Sequence, residues 1–239
     1  MLPDKISIII PAFKESKTIR QNLERIVDVM NGLGYDYELI VVDDGSDDGT
    51  YDIAEINSEE NPRIKVVRYT PNVGKGYAIK TGFKHATGSI IGYMDADLNL
   101  DTEQLEEYIK RLEGADAVIA SKRHPESHIV YPLHRRILSN AFNMLVRLLF
   151  RFDISDTQCG FKFFKREVLD KVVPCLSIKR WAFDVELLVL VDRFGYEIAE
   201  GPISFSQGES RLKMMDIFNM FLDLLGIFYR LNFTRTYEV

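Results

Sequence analysis

The sequence predicts an α/β fold: a mostly parallel central sheet with helices on both faces, followed by a C-terminal amphipathic helical extension. Three observations carry that expectation. Short apolar runs alternate with segments of helical periodicity between residues 6 and 121, the order that builds parallel strands joined by crossover helices. Two of the apolar runs end in acids, Asp43-Asp44 and Asp95-Ala96-Asp97. In an open α/β sheet, ligands collect at such carboxyl ends of strands. The segment 214–233 is strongly apolar, yet it carries Asp216, Asn219 and Asp223.

The elements follow in order. Residues 6–10 read as the first strand. Ser16 is placed to cap a helix with apolar positions Ile19, Leu23, Ile26, Val27 and Met30, which ends near Gly32 and Gly34. Strands at 37–42 and 64–68 flank a short helix at 51–58. The loop Asn72-Val73-Gly74-Lys75-Gly76 leads into a helix at 75–86. A strand at 90–94, a helix at 102–112 and a strand at 117–121 complete the alternation. Beyond it lie a polar loop at 122–131 and a helix at 132–152 mixing arginines with apolar residues. The chain returns to the sheet at 156–165, and a helix at 180–194, a strand at 197–205 and the apolar helix at 214–233 follow. No repeat or low-complexity linker interrupts this order. One domain is therefore expected over 1–211, with an apolar, amphipathic helix over 212–239 for a membrane interface or an oligomer contact.

Bulk properties narrow the class. At 239 residues with 46% hydrophobic and 28% charged residues, the chain is an ordinary folded protein. A net charge of −6 carries no overall nucleic-acid footprint. Cys159 and Cys175 form neither a metal spacing nor a disulfide framework, and fit a reducing compartment. The first residues pass directly into a strand, so no signal peptide is expected. No uncharged apolar run reaches the roughly 18 residues of a spanning helix.

The chemistry concentrates at a few places. Carboxylates at two strand ends suit a hard divalent cation such as Mg²⁺ or Mn²⁺ together with nucleotide phosphates. The Gly74-Lys75-Gly76 loop is not a P-loop, because Gly76 replaces the Ser or Thr and Tyr69 the first Gly. A glycine-rich entry to a helix still suits an anion. Arg123, Arg135, Arg136, Arg147 and Arg151 make a local basic stretch on an acidic chain. Such a patch serves phosphates, an anionic membrane surface or merely a solvated face. His124, His128 and His134 lack the spacing of a helical zinc pair.

In this order, Ile9-Ile10-Pro11-Ala12-Phe13-Lys14-Glu15, Val41-Val42-Asp43-Asp44-Gly45-Ser46, Asn72-Val73-Gly74-Lys75-Gly76 and Asp95-Ala96-Asp97 resemble the family 2 inverting glycosyltransferases. The motifs Ser121-Lys122-Arg123, Asp156-Thr157-Gln158-Cys159-Gly160-Phe161-Lys162 and Trp181-Ala182-Phe183-Asp184-Val185-Glu186 are similar to its polyprenyl-phosphate branch. Dolichyl-phosphate β-glucosyltransferases resemble it most, dolichyl-phosphate mannose synthases next. Ser177 stands where processive polysaccharide synthases carry the Gln of their Gln-x-x-Arg-Trp signature, which argues against a polymerising enzyme.

The resemblance implies a GT-A type nucleotide-binding sandwich. Pro11, Phe13, Glu15, Asp43, Asp44, Lys75, Asp95, Ala96 and Arg211 would bind the nucleotide sugar. Asp95, Asp97 and Asn99 would hold the metal, although relatives often have Gln at the last position. Arg135 and Arg136 would take the acceptor phosphate, and Asp97, Asp156 and Arg123 would form the catalytic set. Asp156 is expected near the acceptor, orienting the donor sugar or taking a proton. The implied reaction moves a hexose from UDP-glucose, or alternatively mannose from GDP-mannose, to a polyprenyl or dolichyl monophosphate. The enzyme would sit peripherally on the cytoplasmic face of a membrane, with a homo-oligomer as a further use of the apolar helix. A family member with a soluble acceptor, or a non-catalytic nucleotide-sugar-binding protein, are the rival readings.

Overall fold

The computed structural model describes residues 4–96, 102–130, 133–151, 153–206, 214–234 and 236–237. The alternating first part comprises β1 (Ile6–Ala12), α1 (Ile19–Leu33), β2 (Tyr37–Asp43), α2 (Thr50–Glu60), β3 (Ile64–Arg68), α3 (Lys75–His85), β4 (Ile90–Met94), α4 (Thr102–Arg111) and β5 (Ala117–Ser121). Then come β6 (His128–Val130), α5 (Leu133–Phe150), β7 (Phe161–Lys165), α6 (Arg166–Val172), α7 (Phe183–Arg193), β8 (Ile198–Pro202), β9 (Ser204–Ser206) and α8 (Met214–Tyr229). Seven strands form one sheet in the order β3-β2-β1-β4-β7-β5-β8, and only β7 runs antiparallel to its neighbours. The chain steps from β1 outward to β3, then crosses to β4 on the other side of β1. That reversal opens a crevice beyond the ends of β1 and β4.

Side-chain alternation explains the two layers of helices. Along β1, Ile6, Ile8 and Ile10 enter one core with Leu23 and Met30 of α1 and Leu105 and Tyr108 of α4. Ile9 enters the opposite core with Ile79 of α3, Leu187 of α7 and Leu224 and Ile227 of α8. Each fully buried isoleucine contributes about 1.5–3 kcal/mol. Burial on both faces is why β1 and β2 read as continuous apolar runs. Residues 183–191 of α7 are all buried, so this helix is central although two acids, Asp184 and Glu186, lie in that run.

The structure departs from expectation at four places. The helix α1 begins at Ile19, and the Ser16 amide instead donates to Asp48 at 3.2 Å; its far end closes at Gly34 in the left-handed region, φ +73°. The polar loop at 122–131 contains β6, which pairs in parallel with β9. The expected strand at 197–205 is thus two strands: Pro202, lacking an N–H, ends the main-sheet ladder and the chain passes to a second sheet. Between β7 and α7 lie α6 and a 3₁₀ turn at Val173–Cys175, too short for a periodic signal.

The helix α8, continued by a π-helical turn at Arg230–Thr234, is split by face. Leu224, Ile227 and Leu231 share the α7 core, so the core crosses the expected boundary at residue 211. Phe218, Phe221, Leu222, Leu225, Tyr229 and Phe233 are exposed, as are Ile137, Leu138, Met144 and Leu148 on α5. Among the described residues, no helix is long and apolar enough to cross a membrane.

Candidate active site

The loops after β1 and β2 are laced together. Successive backbone amides of Lys14, Glu15 and Ser16 donate to Ser46 Oγ, Thr50 Oγ1 and Asp48 Oδ2 at 3.0, 2.8 and 3.2 Å. Lys14 adopts φ +58°, a left-handed conformation that this lacing holds in place. Phe13 and Pro11 are half-buried beside it, and Glu15 is nearly buried with Thr18 Oγ1 on its carboxylate.

The two acids at the end of β2 do different work. Asp43 is fully buried; its Oδ2 accepts from the Ser46 amide and pairs with Arg68 Nε at 3.3 Å. Its Oδ1 is buried with no hydrogen-bond partner, an acceptor available to a ligand N–H. Asp44 has no such freedom. It accepts from Val73 N at 2.7 Å, Gly74 N at 2.9 Å and Asn72 Nδ2 at 2.7 Å. It therefore shapes the 72–74 loop, whereas the sequence placed it among the nucleotide contacts.

That loop opens α3 and delivers Lys75 into the sheet crevice. Lys75 Nζ lies 2.6 Å from Asp95 Oδ1 and 3.9 Å from Asp184 Oδ2. Burial alone would lower its pKa, but Asp95 and Asp184 outweigh burial and hold the ammonium above the ordinary lysine value. Asp184 also receives Lys162 Nζ and the Tyr93 hydroxyl, both at 2.5 Å. Burial opposes its charge, yet Lys162 and Lys75 keep its pKa below the usual carboxylate value. Asp95 rests on Gly160, where a Cβ would land on its carboxylate; the Asp95 amide donates to Gly160 O at 2.9 Å. Ala96 is buried, and Asn22 Nδ2 donates to its carbonyl.

A second buried ion group closes the far side. Asp156 accepts from Lys122 N and Gln158 N, each at 3.0 Å, and pairs with Lys122 Nζ at 3.2 Å. Burial would raise its pKa, but Lys122 and Arg123 lower it below the ordinary value. Arg123 lies 3.8 Å from Asp156 and donates to Ser155 O, Ser139 Oγ and Asn140 Oδ1. It thus ties α5 to the end of β5. Cys159 is buried between these groups, and burial pushes its thiol up to about 11.

The structure brings Pro11, Phe13, Glu15, Asp43, Asp44, Lys75, Asp95 and Ala96 to the carboxyl ends of β1, β2 and β4, with Asp156 and Arg123 beside β5. Asp97, Asn99 and Arg211 lie outside the described residues, as does the side chain of Arg135; Arg136 is exposed on α5. Lys122, Lys162, Tyr93 and Asp184 had no assigned role, although three of them stand inside the quoted motifs. Arg180 was also missed: its Cγ lies 2.7 Å from where a Gly74 Cβ would be, at the mouth of the Lys75 loop. Among the described residues, no group of three His, Cys, Asp or Glu side chains converges on a metal position. Among the described residues, the Asp95 carboxylate at the end of β4 offers the hard oxygen chemistry that a divalent cation needs.

This geometry has known counterparts. Residues 7–173 match glycosyl transferase family 2. The chain is a family 2 glycosyltransferase. It is 33% identical over 236 residues to a dolichyl-phosphate beta-glucosyltransferase of Trichomonas vaginalis, covering 92% of this chain and 70% of that protein. It is 33% identical over 217 residues to the dolichyl-phosphate beta-glucosyltransferase of Dictyostelium discoideum, covering 84% and 66%. Glycosyltransferase AglD of Haloferax volcanii is also 33% identical, over 95% of this chain but 37% of its own length. The chain thus spans little more than a third of one such relative and about two thirds of the others. Among solved structures, the glucosyl-3-phosphoglycerate synthase of Mycobacterium tuberculosis superposes with a TM-score of 0.71 at 22% identity, covering 95% and 80% of the two chains. The mannosyltransferase PcManGT of Pyrobaculum calidifontis, seen with GDP-Man and Mn²⁺, gives 0.64 at 21% identity, covering 96% and 64%. These likenesses establish the GT-A type fold of this glycosyltransferase.

Proposed function

We propose that this glycosyltransferase moves a hexose, glucose from UDP-glucose, to the monophosphate of a dolichol-type polyprenol, with inversion at the anomeric carbon. The observation that carries the reading is the state of the buried acids. Asp156 and Asp184 are each paired with buried lysines and accept hydrogen bonds, and these partners favour the ionised carboxylate, which makes both poor proton acceptors. A hydroxyl acceptor needs a base. A phosphate monoester, with a second pKa near 6, arrives already ionised and needs positive charge instead. Lys122, Arg123, Lys75 and Arg180 supply that charge around the crevice. The names of the relatives support the same acceptor.

In the reaction, an acceptor phosphate oxygen attacks the anomeric carbon opposite the nucleoside diphosphate. The new C–O bond forms as the bond to the diphosphate breaks, and the pair of electrons leaves with the diphosphate. Lys75, fixed by Asp95 and Asp184, is the cation placed to meet that growing charge. Asp43 Oδ1 is offered to a base N–H, and the unpartnered Thr157 Oγ1 and Gln158 Nε2 to sugar hydroxyls. Asp95 would hold Mg²⁺ or Mn²⁺ with Asp97 and Asn99, and the cation would neutralise diphosphate oxygens when bound. Arg135 and Arg136 would take the acceptor phosphate, and Arg211 the donor diphosphate. The exposed apolar residues of α5 and α8, with the exposed Arg136 and Arg147 of α5 on a net acidic chain, suit a peripheral position on an anionic, cytoplasmic membrane face.

The test is labelled hexose transfer to a long-chain polyprenyl phosphate, comparing UDP-glucose with GDP-mannose and Mn²⁺ with Mg²⁺. Labelled lipid from UDP-glucose is expected. Lipid labelled only from GDP-mannose would change the donor, and transfer only to soluble phosphates such as phosphoglycerate would overturn the lipid acceptor.

A further inference from the structure

Glu186 is a fully buried carboxylate in the first turn of α7, and it lies outside every role assigned so far. Its Oε2 accepts the backbone amides of Ser177 and Ile178 at 2.9 and 2.8 Å, and its Oε1 accepts Ser177 Oγ at 2.7 Å. From the opposite side it is held by residues beyond α8. The Tyr237 hydroxyl donates to Oε1 at 2.5 Å, and Arg230 Nη2 donates at 3.3 Å. Arg230 Nε donates in turn to the Tyr237 hydroxyl at 2.6 Å, so the three groups close a triangle. Tyr237 is buried, and burial together with Glu186 pushes its phenol up to about 12, leaving it a neutral donor at physiological pH.

The loop that Glu186 holds is a wall of the candidate site. Lys80 Nζ donates to Leu176 O at 2.7 Å, and the Tyr77 amide in the first turn of α3 donates to Lys179 O at 3.1 Å. Lys179 O and Arg180 Cγ would lie 2.6 and 2.7 Å from a Cβ at Gly74, the residue before Lys75. Gly74 sits at φ +125°, so neither its conformation nor its space admits a side chain. Position therefore passes in contact from Tyr237 and Arg230 through Glu186 to residues 177–180, and from there to the Lys75 loop.

We propose that Arg230 and Tyr237 are positioning residues for donor binding: they clasp Glu186 and so hold the 176–182 loop against the start of α3. The proposal rests on the nucleotide-donor reading, though not on the identity of the acceptor. Arg230 and Tyr237 then belong to the donor site's support, although the sequence set 212–239 apart as an extension.

The chain carries a built-in reporter. Trp181 is its single tryptophan, half-buried in the clasped loop. The experiment compares Tyr237→Phe, Arg230→Lys and Arg230→Ala with the unaltered chain. It measures UDP and GDP binding by calorimetry, donor and acceptor KM, Trp181 emission and quenching, and melting temperature. Tyr237→Phe and Arg230→Ala should weaken nucleotide binding on the order of tenfold, the scale of a lost charge-assisted hydrogen bond. Donor KM should rise in step, acceptor KM should stay unchanged, Trp181 should become more quenchable, and Arg230→Lys should restore part of the loss. A lower melting temperature with unaltered nucleotide affinity and Trp181 emission would show a merely structural clasp and overturn the proposal, as would fully wild-type behaviour. Failure of the hexose-transfer reading would show instead as absent lipid product with nucleotide binding intact.

Discussion

Asp156 shows how a residue's surroundings set its chemistry. An acid in the loop leading into β7 reads as a candidate base, but here a buried lysine, a nearby arginine and two backbone amides keep it charged. Asp156→Asn should destabilise the fold by about 3–5 kcal/mol, because Lys122 would be left buried without its counter-charge; urea unfolding measures this. The acid side of the kcat/KM profile should follow the acceptor's second phosphate ionisation, near pH 6, and persist in the variant at a lower rate. An acid limb that disappears with Asp156 would instead identify it as the base. At Gly160, the missing side chain is what leaves room for the Asp95 carboxylate. Gly160→Ala should therefore lower Mn²⁺-dependent nucleotide affinity by about an order of magnitude or more, read by calorimetry with and without the metal.

At the scale of elements, the site is a set of loops fixed to rigid strand ends. Asp44 at the end of β2 satisfies three donors of the 72–74 segment, which sets where α3 begins. Asp44→Ala would leave those donors without their acceptor. Stability should fall by about 2 kcal/mol or more, and donor KM should rise more than kcat falls, since the loop binds rather than reacts. Steady-state kinetics with a denaturation curve separate the two effects. Likewise, Arg123 fastens α5 through Ser139 and Asn140, so the helix carrying Arg135 and Arg136 is held to the catalytic end of the sheet.

Across the whole molecule, charge is divided between the two ends of the sheet. At the end away from the site, buried Glu38 accepts from Lys65, Ser7 and Thr87 and pairs with Lys5. Burial opposes its charge, but these partners bring its pKa from 4.5 to about 2. Because the folded value is depressed, its stabilisation is fully present above about pH 4.5 and is lost as pH falls towards 2. Glu38→Gln should cost on the order of 3 kcal/mol at neutral pH and flatten the acid limb of the stability curve, measured by chemical unfolding from pH 2 to 7. The exposed apolar face of α8 should bind bilayers. Phe218→Ser with Phe221→Ser should reduce co-sedimentation with anionic vesicles while leaving nucleotide binding intact.

Much of the architecture was legible because it is local. Short apolar runs and helical spacing located all five strands of the alternating half, and the order of the acidic and glycine-rich motifs pointed to the family and to the carboxyl ends of β1, β2 and β4. What pattern could not carry was partnership between distant residues. Nothing in the spacing of Glu186, Arg230 and Tyr237 tells that they meet, nor that Asp44 serves a loop while Asp43 keeps a free oxygen. The strand in the 122–131 loop was hidden because its partner, β9, lies more than seventy residues away. By itself the sequence determined the layers, since the pattern of apolar residues dictates which faces are buried, and it put the candidate acids at strand ends. Which carboxylates are spent on structure, and which remain for a ligand, was decided only by tertiary contacts, because a carboxylate's charge and freedom depend on what is packed against it.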